Sequence, residues 1–447
     1  MTKNLYIFVL ILAFSFSALA EQKRVLIFFT VGGHAAAARA IEEDILSMDP
    51  SAVVKMVDVT NISDNIIGKN FASSTLFLMK YAPSVFSELF FKPMVTASRG
   101  VETISDRPTL NLVTKSDELS EIIDDFQPTS ILSTFIFATE SLAFLKEQQR
   151  LTTPVGWLHT DLLDDTFFAQ VSGTIDMTFL PHPKMTERWI ERGIPSDRVA
   201  STGIAVRSLF HRLGSSAKEA LDSEVPHYIL MGGTFGLLDY EGLIETMIHE
   251  THRPIKITAI CGQNQSMQEK LTDISVRKHR LKGENYLPNN VDLKVLGWVD
   301  TNSFQELLED ATAVISKPGG ITSFEMIFGR VPSLFLADKE GHEAMNSRFL
   351  EAEGLALIAK SVPQIGAIVH QIEKDPSLLA NIRSKQSSFI QATDPHLIAR
   401  WALNPSLPKS GPVTPAKISS EGDTIRSLIP TNNWLCRKAI SLGASAH

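Results

Sequence analysis

Four stretches of this chain end an apolar run in small residues and then open a helical pattern. They are "TVGGHAAAARAI" from Thr30, "LMGGTFGLLD" from Leu230, "ICGQNQ" from Ile260 and "SKPGGITSFE" from Ser316. A glycine at such a junction removes the Cβ that keeps an anion away from backbone N–H groups, and the helix that follows contributes its positive end. Three of the four lie in the second half of the chain. There Gly232, Gly233 and Thr234, then Gly262 and Asn264, then Lys317, Gly319 and Gly320 read as a phosphate-binding edge. Neither a GxGxxG pattern nor a GxxxxGK[ST] loop occurs, so nicotinamide-type and Walker-type sites are not indicated.

Thr322 and Glu325 stand one turn beyond the double glycine. Two readings of that pair are open: a capping box in which the carboxylate returns to its own helix, or a carboxylate that accepts from ligand hydroxyls. Lys317 is either an exposed strand-end lysine or a point charge for phosphate. In the first half, His34 opens a helix directly behind Gly32-Gly33; it is a base suited to neutral pH or an imidazole that caps the helix. Asp161, Asp164 and Asp165 form a short acidic cluster that reads as a solvated loop rather than a metal site, because the remaining ligands of a hard-cation site are missing.

These residues need elements to position them. Short, continuously apolar, β-branched runs recur along the chain, six in the first half ("RVLIFFT", "AVVKMVDV", "TSILSTFIF", "PVGWLHT", "MTFLPH", "RVASTGI") and six in the second ("HYILMGG", "IKITAICG", "DLKVLGW", "AVISK", "PSLFLAD", "LALIA"). Such runs suit strands covered on both faces, and helical stretches between them point to parallel sheets with crossover helices. The expected fold is α/β, two doubly wound Rossmann-like domains, in which ligands sit outside the carboxyl ends of the strands. The expected divisions are residues 21–210, 211–404 with final helices packing back, and a Pro- and Ser-rich flexible tail over 405–447.

Composition excludes some classes. At 447 residues, 44% hydrophobic and 21% charged, the chain is globular and long enough for several cores. A net charge of -8, with neither half basic, argues against a nucleic-acid partner. Two cysteines, Cys261 and Cys436, give no disulfide framework. Residues 1–20 carry Lys3, an apolar stretch from Leu5 to Phe16 and Ala18-Leu19-Ala20, the pattern of a signal peptide or an uncleaved anchor.

Read together, Lys317-Pro318-Gly319-Gly320, Thr322, Glu325, Gly341, Glu343 and Asn346 resemble, in order and spacing, the monogalactosyldiacylglycerol synthase and processive diacylglycerol glucosyltransferase family. These are two-domain glycosyltransferases of the GT-B type, related to the enzyme that adds N-acetylglucosamine to the peptidoglycan precursor. Gly33-His34, "HTD" at 159–161, "GIAVRSLF" at 203–210 and Gly232-Gly233 with Gly236 support the resemblance, which extends from Arg24 to Trp401.

The resemblance implies a hexose moved from a UDP-sugar to a diacylglycerol-like lipid, with inversion and without a cofactor or metal. It places the diphosphate at Gly319-Gly320, the ribose at Glu325 and the uracil near Val299, and it gives the sugar to His342, Glu343 and Asn346. His34 would be the base and Asp161 a second base or an orienter of the acceptor. The Phe-rich stretch from Phe71 to Met94, with Phe77, Tyr81, Phe86, Phe90 and Phe91, would meet lipid at a membrane surface, although an amphipathic core helix has the same stripe. Two rivals share the architecture: a UDP-sugar epimerase, and an exported module that binds without turnover. An exported chain would lack its donor, so the side of the membrane matters to the assignment.

Overall fold

The computed structural model describes residues 22–60, 62, 88, 92–98, 100–111, 115–216, 225–251, 253–277, 287–288, 290–337 and 342–419. All twelve apolar runs are strands. The first half holds β1 (Arg24–Phe29), β2 (Val53–Asp58), β3 (Ser130–Ser133), β4 (Val155–Leu158), β5 (Met177–Leu180) and β6 (Val199–Ser201). The second holds β7 (His227–Met231), β8 (Ile255–Ile260), β9 (Val291–Leu296), β10 (Ala313–Ser316), β11 (Ser333–Leu336) and β12 (Leu357–Ala359). Each set forms one sheet, in the order β2-β1-β3-β4-β5-β6 and β12-β11-β10-β7-β8-β9, and every pairing is parallel. Val25 to Phe28 and Ala313 to Ile315 are wholly buried, as the central strands of a covered parallel sheet require.

Strand order reverses between β1 and β3 in the first sheet and between β7 and β10 in the second. These are the switch points at which an open α/β sheet leaves a crevice beyond its carboxyl edge. The helix Gly33–Met48 follows β1 and buries Ala37, Ala38, Ile41 and Ile45 on one face, with alanine keeping it close to its neighbours. The helix Gly320–Phe328 follows β10 and is almost entirely buried. Among the described residues, no helix is long and apolar enough to cross a membrane.

The two halves are not separate beads. One apolar cluster runs from the first sheet through Phe210 into Phe304, Phe324, Phe328 and Phe389 of the second half. The helix Ser208–Ser216 approaches the helix Gly320–Phe328 so closely that a Cβ on Gly214 would lie 2.0 Å from the Phe328 carbonyl oxygen. The last helix, Leu397–Leu403, returns to the first sheet: Ser130 Oγ donates to the Ala402 carbonyl at 2.6 Å, and Trp401 packs edge-on to Phe179.

The expectation of a flexible tail from 405 fails for residues 405–419, which are strapped to the first domain. Asp197 accepts from the backbone N–H groups of Lys409 (2.7 Å) and Ser410 (2.9 Å). Arg198 donates to the Ser410 carbonyl at 2.8 Å, Val413 N–H to Gly173 O at 2.8 Å, and Ser419 N–H to Arg192 O at 3.0 Å. Ile418 is buried in the core. Proline and serine there serve an extended segment whose polar backbone is met by side chains across the fold. Residues 420–447 lie outside the described residues, as do residues 1–21.

Candidate functional site

β1 ends at Phe29, and the chain turns through Gly32, whose φ of 72° favours glycine, into the helix that carries His34. His34 Nδ1 lies 2.5 Å from the Thr134 carbonyl oxygen, just past β3 across the switch point. A carbonyl only accepts, so Nδ1 holds the proton, and the lone pair of the neutral ring is on Nε2. Thr134 Oγ1 donates back to the His34 carbonyl at 3.1 Å, and Thr160 Oγ1 lies 3.2 Å from Nδ1. The Phe135 ring meets the imidazole edge-on at 5.3 Å.

Asp161 follows β4. Its backbone N–H donates to His159 Nδ1 at 3.3 Å. His159 is buried among Trp157, Phe168 and Trp189, and burial pushes its pKa down to about 4 against the charges of Asp161 and Asp164. A neutral histidine therefore anchors the turn that presents Asp161. Asp164 and Asp165 depart from the solvated loop expected of them. Asp164 accepts from Arg188 (2.9 Å), from Trp189 Nε1 (3.0 Å) and from Arg192, while Asp165 caps the helix Thr166–Ser172 by accepting from Phe167 N–H. Both carboxylates are buried and structural.

In the second half, the loops after β7 and β8 knit together. Gly233 has a φ of 70° and open space around its Cα; a Cβ on Gly236 would lie 2.2 Å from Cys261 O, and one on Gly262 2.5 Å from Thr234 O. These last two glycines serve loop-on-loop packing. Gly233 and Thr234 are exposed, Gly232 partly so. Asn264 is turned to protein, donating across to Gly236 O of the β7 loop at 3.3 Å and accepting from Met267 N–H of its own at 3.1 Å. Val299 is half-buried beside Trp298, which is 68% exposed, and both line a cavity of about 500 Å³ along the outer strands β8 and β9.

The double glycine after β10 has a divided role. Gly319 is the N-cap of its helix at φ -65° and ψ 142°, a conformation open to any residue, and the nearest atom to a Cβ there is Glu343 Oε1 at 3.8 Å. A Cβ on Gly320 would lie 2.1 Å from the Thr160 carbonyl oxygen and 3.2 Å from Asp161 Oδ1. Gly320 is glycine because the first domain's site loop presses against it. Thr322 sits inside the helix, so no capping box forms with Glu325. Glu325 is buried and paired instead with Arg207 at 3.0 Å; burial raises its pKa, and the guanidinium opposes the rise.

Asn346, expected at the sugar, is fully buried and clasps the domains together. Its Oδ1 accepts from Leu162 N–H at 2.8 Å, and its Nδ2 donates to Asp161 Oδ1 and to Pro318 O, both at 3.1 Å. In this arrangement its amide is committed to protein. Glu343 stands 4.0 Å from Lys317 Nζ beside Gly319, and His342 opens the helix His342–Glu353. Gly33 would meet Ile321 at 3.0 Å were it larger. His34, Asp161, Lys317, Gly319, Gly320, Glu343 and Asn346 are thus brought to one seam. Phe77, Tyr81, Phe86, Phe90 and Phe91 lie outside the described residues. Sequence reasoning missed Thr134, Thr160 and Arg207 as parts of the site; Arg207 and Thr160 lay in the motifs that carry the resemblance, while Thr134 lay in the strand run "TSILSTFIF" with nothing local to mark it.

Residues 34–206 match the family described as monogalactosyldiacylglycerol (MGDG) synthase. A protein of Bacillus subtilis named processive diacylglycerol beta-glucosyltransferase is 25% identical over 317 residues, covering 69% of this chain and 77% of its own length. One of the same name from Staphylococcus carnosus is 23% identical over 278 residues, 61% of this chain and 66% of its own. Among solved structures, Acinetobacter baumannii MurG superposes with a TM-score of 0.54 at 13% identity, covering 85% of this chain and 98% of that one. The last comparison concerns fold, and it agrees with two facing Rossmann-like domains of the GT-B type. The resemblance read from the glycine junctions and the residues around them is borne out.

Proposed function

We propose that this chain is a glycosyltransferase that moves a hexose from a UDP-sugar to a diacylglycerol-like lipid. One observation carries the reading. The switch points of the two sheets face each other, so that a histidine with its lone pair on Nε2 and an aspartate in the first domain meet a helix start bearing Lys317 and Gly319 in the second. The names of the relatives support a sugar moved to a diacylglycerol acceptor.

In the proposed reaction, His34 Nε2 takes the proton of the acceptor hydroxyl as that oxygen bonds to the anomeric carbon. The bond from that carbon to the diphosphate oxygen breaks, and UDP leaves with the electron pair. The N–H groups at Gly319, the start of its helix and Lys317 stabilise the leaving charge. Asp161 orients the acceptor. Displacement from the opposite face inverts the anomeric centre. Donor entry exchanges the Asn346–Asp161 and Arg207–Glu325 contacts for contacts with the sugar and the ribose, and the domains close over the bound donor, excluding water that would hydrolyse it. No cofactor beyond the donor is required. The apolar stretch Leu5–Phe16 and the lipid nature of the acceptor support association with a membrane surface, which fractionation of the expressed full chain would test.

The deciding experiment incubates purified protein with UDP-glucose or UDP-galactose and diacylglycerol, and scores new glycolipid. Product with one donor, lowered about a hundredfold or more in His34→Ala with UDP affinity retained, is the expected result. No product with any donor, under conditions where UDP binds, would leave a binding module and overturn the reading.

A further inference from the structure

Resting on that reading of His34, we propose that Thr134, assisted by Thr160, is the positioning residue for the base, setting its tautomer and its aim. The two residues embrace across 100 positions of sequence. The ring Nδ1–H of His34 donates to the Thr134 carbonyl at 2.5 Å, and Thr134 Oγ1–H donates to the His34 carbonyl at 3.1 Å. One residue therefore holds His34 at ring and backbone together, and both bonds span the switch point between β1 and β3. Thr160 Oγ1, 3.2 Å from Nδ1, gives the same N–H a second acceptor. Thr134 is 1% exposed and Thr160 8% exposed, so water does not compete for these bonds.

The chemistry follows from the donor count. When Nε2 accepts the acceptor proton, the ring becomes a cation with N–H on both nitrogens. The Thr134 carbonyl already faces Nδ1–H, so its dipole stabilises the cation without rearrangement. A carbonyl cannot take the proton away, so none is relayed onward, and Nε2 returns its proton to solvent after UDP departs. Thr160 adds a coupling: its hydroxyl reaches the base while its carbonyl presses on Gly320, so the aim of His34 is tied to the seating of the donor-side helix.

The test has two arms. In the first, histidine-labelled full-length protein is examined by nitrogen NMR, with the His34 signals assigned by their loss in His34→Gln. Neutral His34 as the Nδ1–H tautomer is expected, and the Nε2–H tautomer would overturn the proposal whether or not the protein makes glycolipid. The second arm is kinetic. Thr134→Val and Thr160→Val each lower kcat about tenfold, the worth of one well-placed hydrogen bond, with donor KM unchanged, while Thr134→Ser and Thr160→Ser restore it. In a His34→Ala background Thr160→Val has no further effect. Valine variants that keep kcat per folded molecule, or that lower activity equally with and without His34, would refute the positioning role. If the wild type makes no glycolipid while the tautomer is Nδ1–H, the catalytic reading falls and the cradle stands.

Discussion

The two glycines after β10 can be separated by a single methyl group placed at each in turn. In Gly320→Ala the new Cβ starts 2.1 Å from the Thr160 carbonyl oxygen, whereas ordinary contact begins at 3.4 Å, so the domains must part by about 1.3 Å at that point. Neither atom belongs to a flexible side chain, and the close packing of the seam leaves little room for relief. Such a shift carries the Leu162–Asn346 bond of 2.8 Å and the Asn346–Asp161 bond of 3.1 Å, the two that cross the seam, beyond hydrogen-bond reach. Two buried bonds at about 1 kcal/mol each amount to about 2 kcal/mol. Alanine's better helix propensity returns at most about 1 kcal/mol of that. Gly319→Ala, with its nearest neighbour at 3.8 Å and unstrained dihedrals, changes stability by less than about 1 kcal/mol. Its methyl group instead stands in the space assigned to the diphosphate. The assays are thermal melting, small-angle scattering and UDP calorimetry. Gly320→Ala should melt a few degrees lower and scatter as a more open particle; Gly319→Ala should melt as the wild type and lose UDP affinity at least tenfold. A Gly320→Ala protein as stable and compact as the parent would refute the packing argument, and full UDP affinity in Gly319→Ala would refute the diphosphate placement.

Glu325→Ala should lose UDP binding by calorimetry and also lower the melting temperature, because its carboxylate pairs with Arg207 across the seam. A double-mutant cycle should give a coupling on the order of 1 kcal/mol, since Arg207 is partly exposed. Asp164→Ala removes a buried carboxylate that accepts from Arg188, Arg192 and the Trp189 N–H, so it should cost about 3 kcal/mol in chemical denaturation, and excess chelator should leave the melting temperature of the parent unchanged. His159 is held neutral by burial with a pKa of about 4, below its ordinary 6.5, so the unfolded chain binds the extra proton. Its contribution is present in full above pH 6.5 and is lost as pH falls towards 4, by about 3 kcal/mol. His182 and His211 are shifted the same way. Melting temperatures that stay flat from pH 7 to 4.5 would contradict this, and His159→Phe should flatten the fall. Truncation after Asn404 removes the strap held by Asp197 and Arg198; limited proteolysis should then cut the first domain, and an unchanged digestion pattern would count against that role.

The strands were legible because each is a short, doubly covered apolar run, a local property of composition. The glycine junctions were legible for the same reason. What could not be read was which partner each site residue would meet. Asn346 closes on Asp161 and Leu162, Glu325 on Arg207 and His34 on Thr134, all more than 90 residues apart in sequence. Nothing in the spacing of one glycine tells whether a phosphate or a carbonyl will fill the place of its missing methyl group. Asp164 shows the converse: three acids in five residues look solvated until the helix Pro183–Glu191 brings Arg188 and Trp189, with Arg192 just beyond it, against one of them. The strap misled for a related reason, since its composition is that of a linker and its order comes entirely from the surface it crosses.

The return of residues 397–419 to the first sheet bears on how the molecule is made. A ribosome releases β1 through β6 long before Trp401 and Ile418, which occupy the interior of that sheet's domain. The first domain to emerge is therefore the last to be finished, while the second, its strands contiguous between residues 227 and 359, can complete its sheet first. Until the final helix and strap arrive, the nascent front half exposes the apolar bed around Phe179 and Gly156 to every other chain nearby, and it is there that a holding chaperone has something to grip.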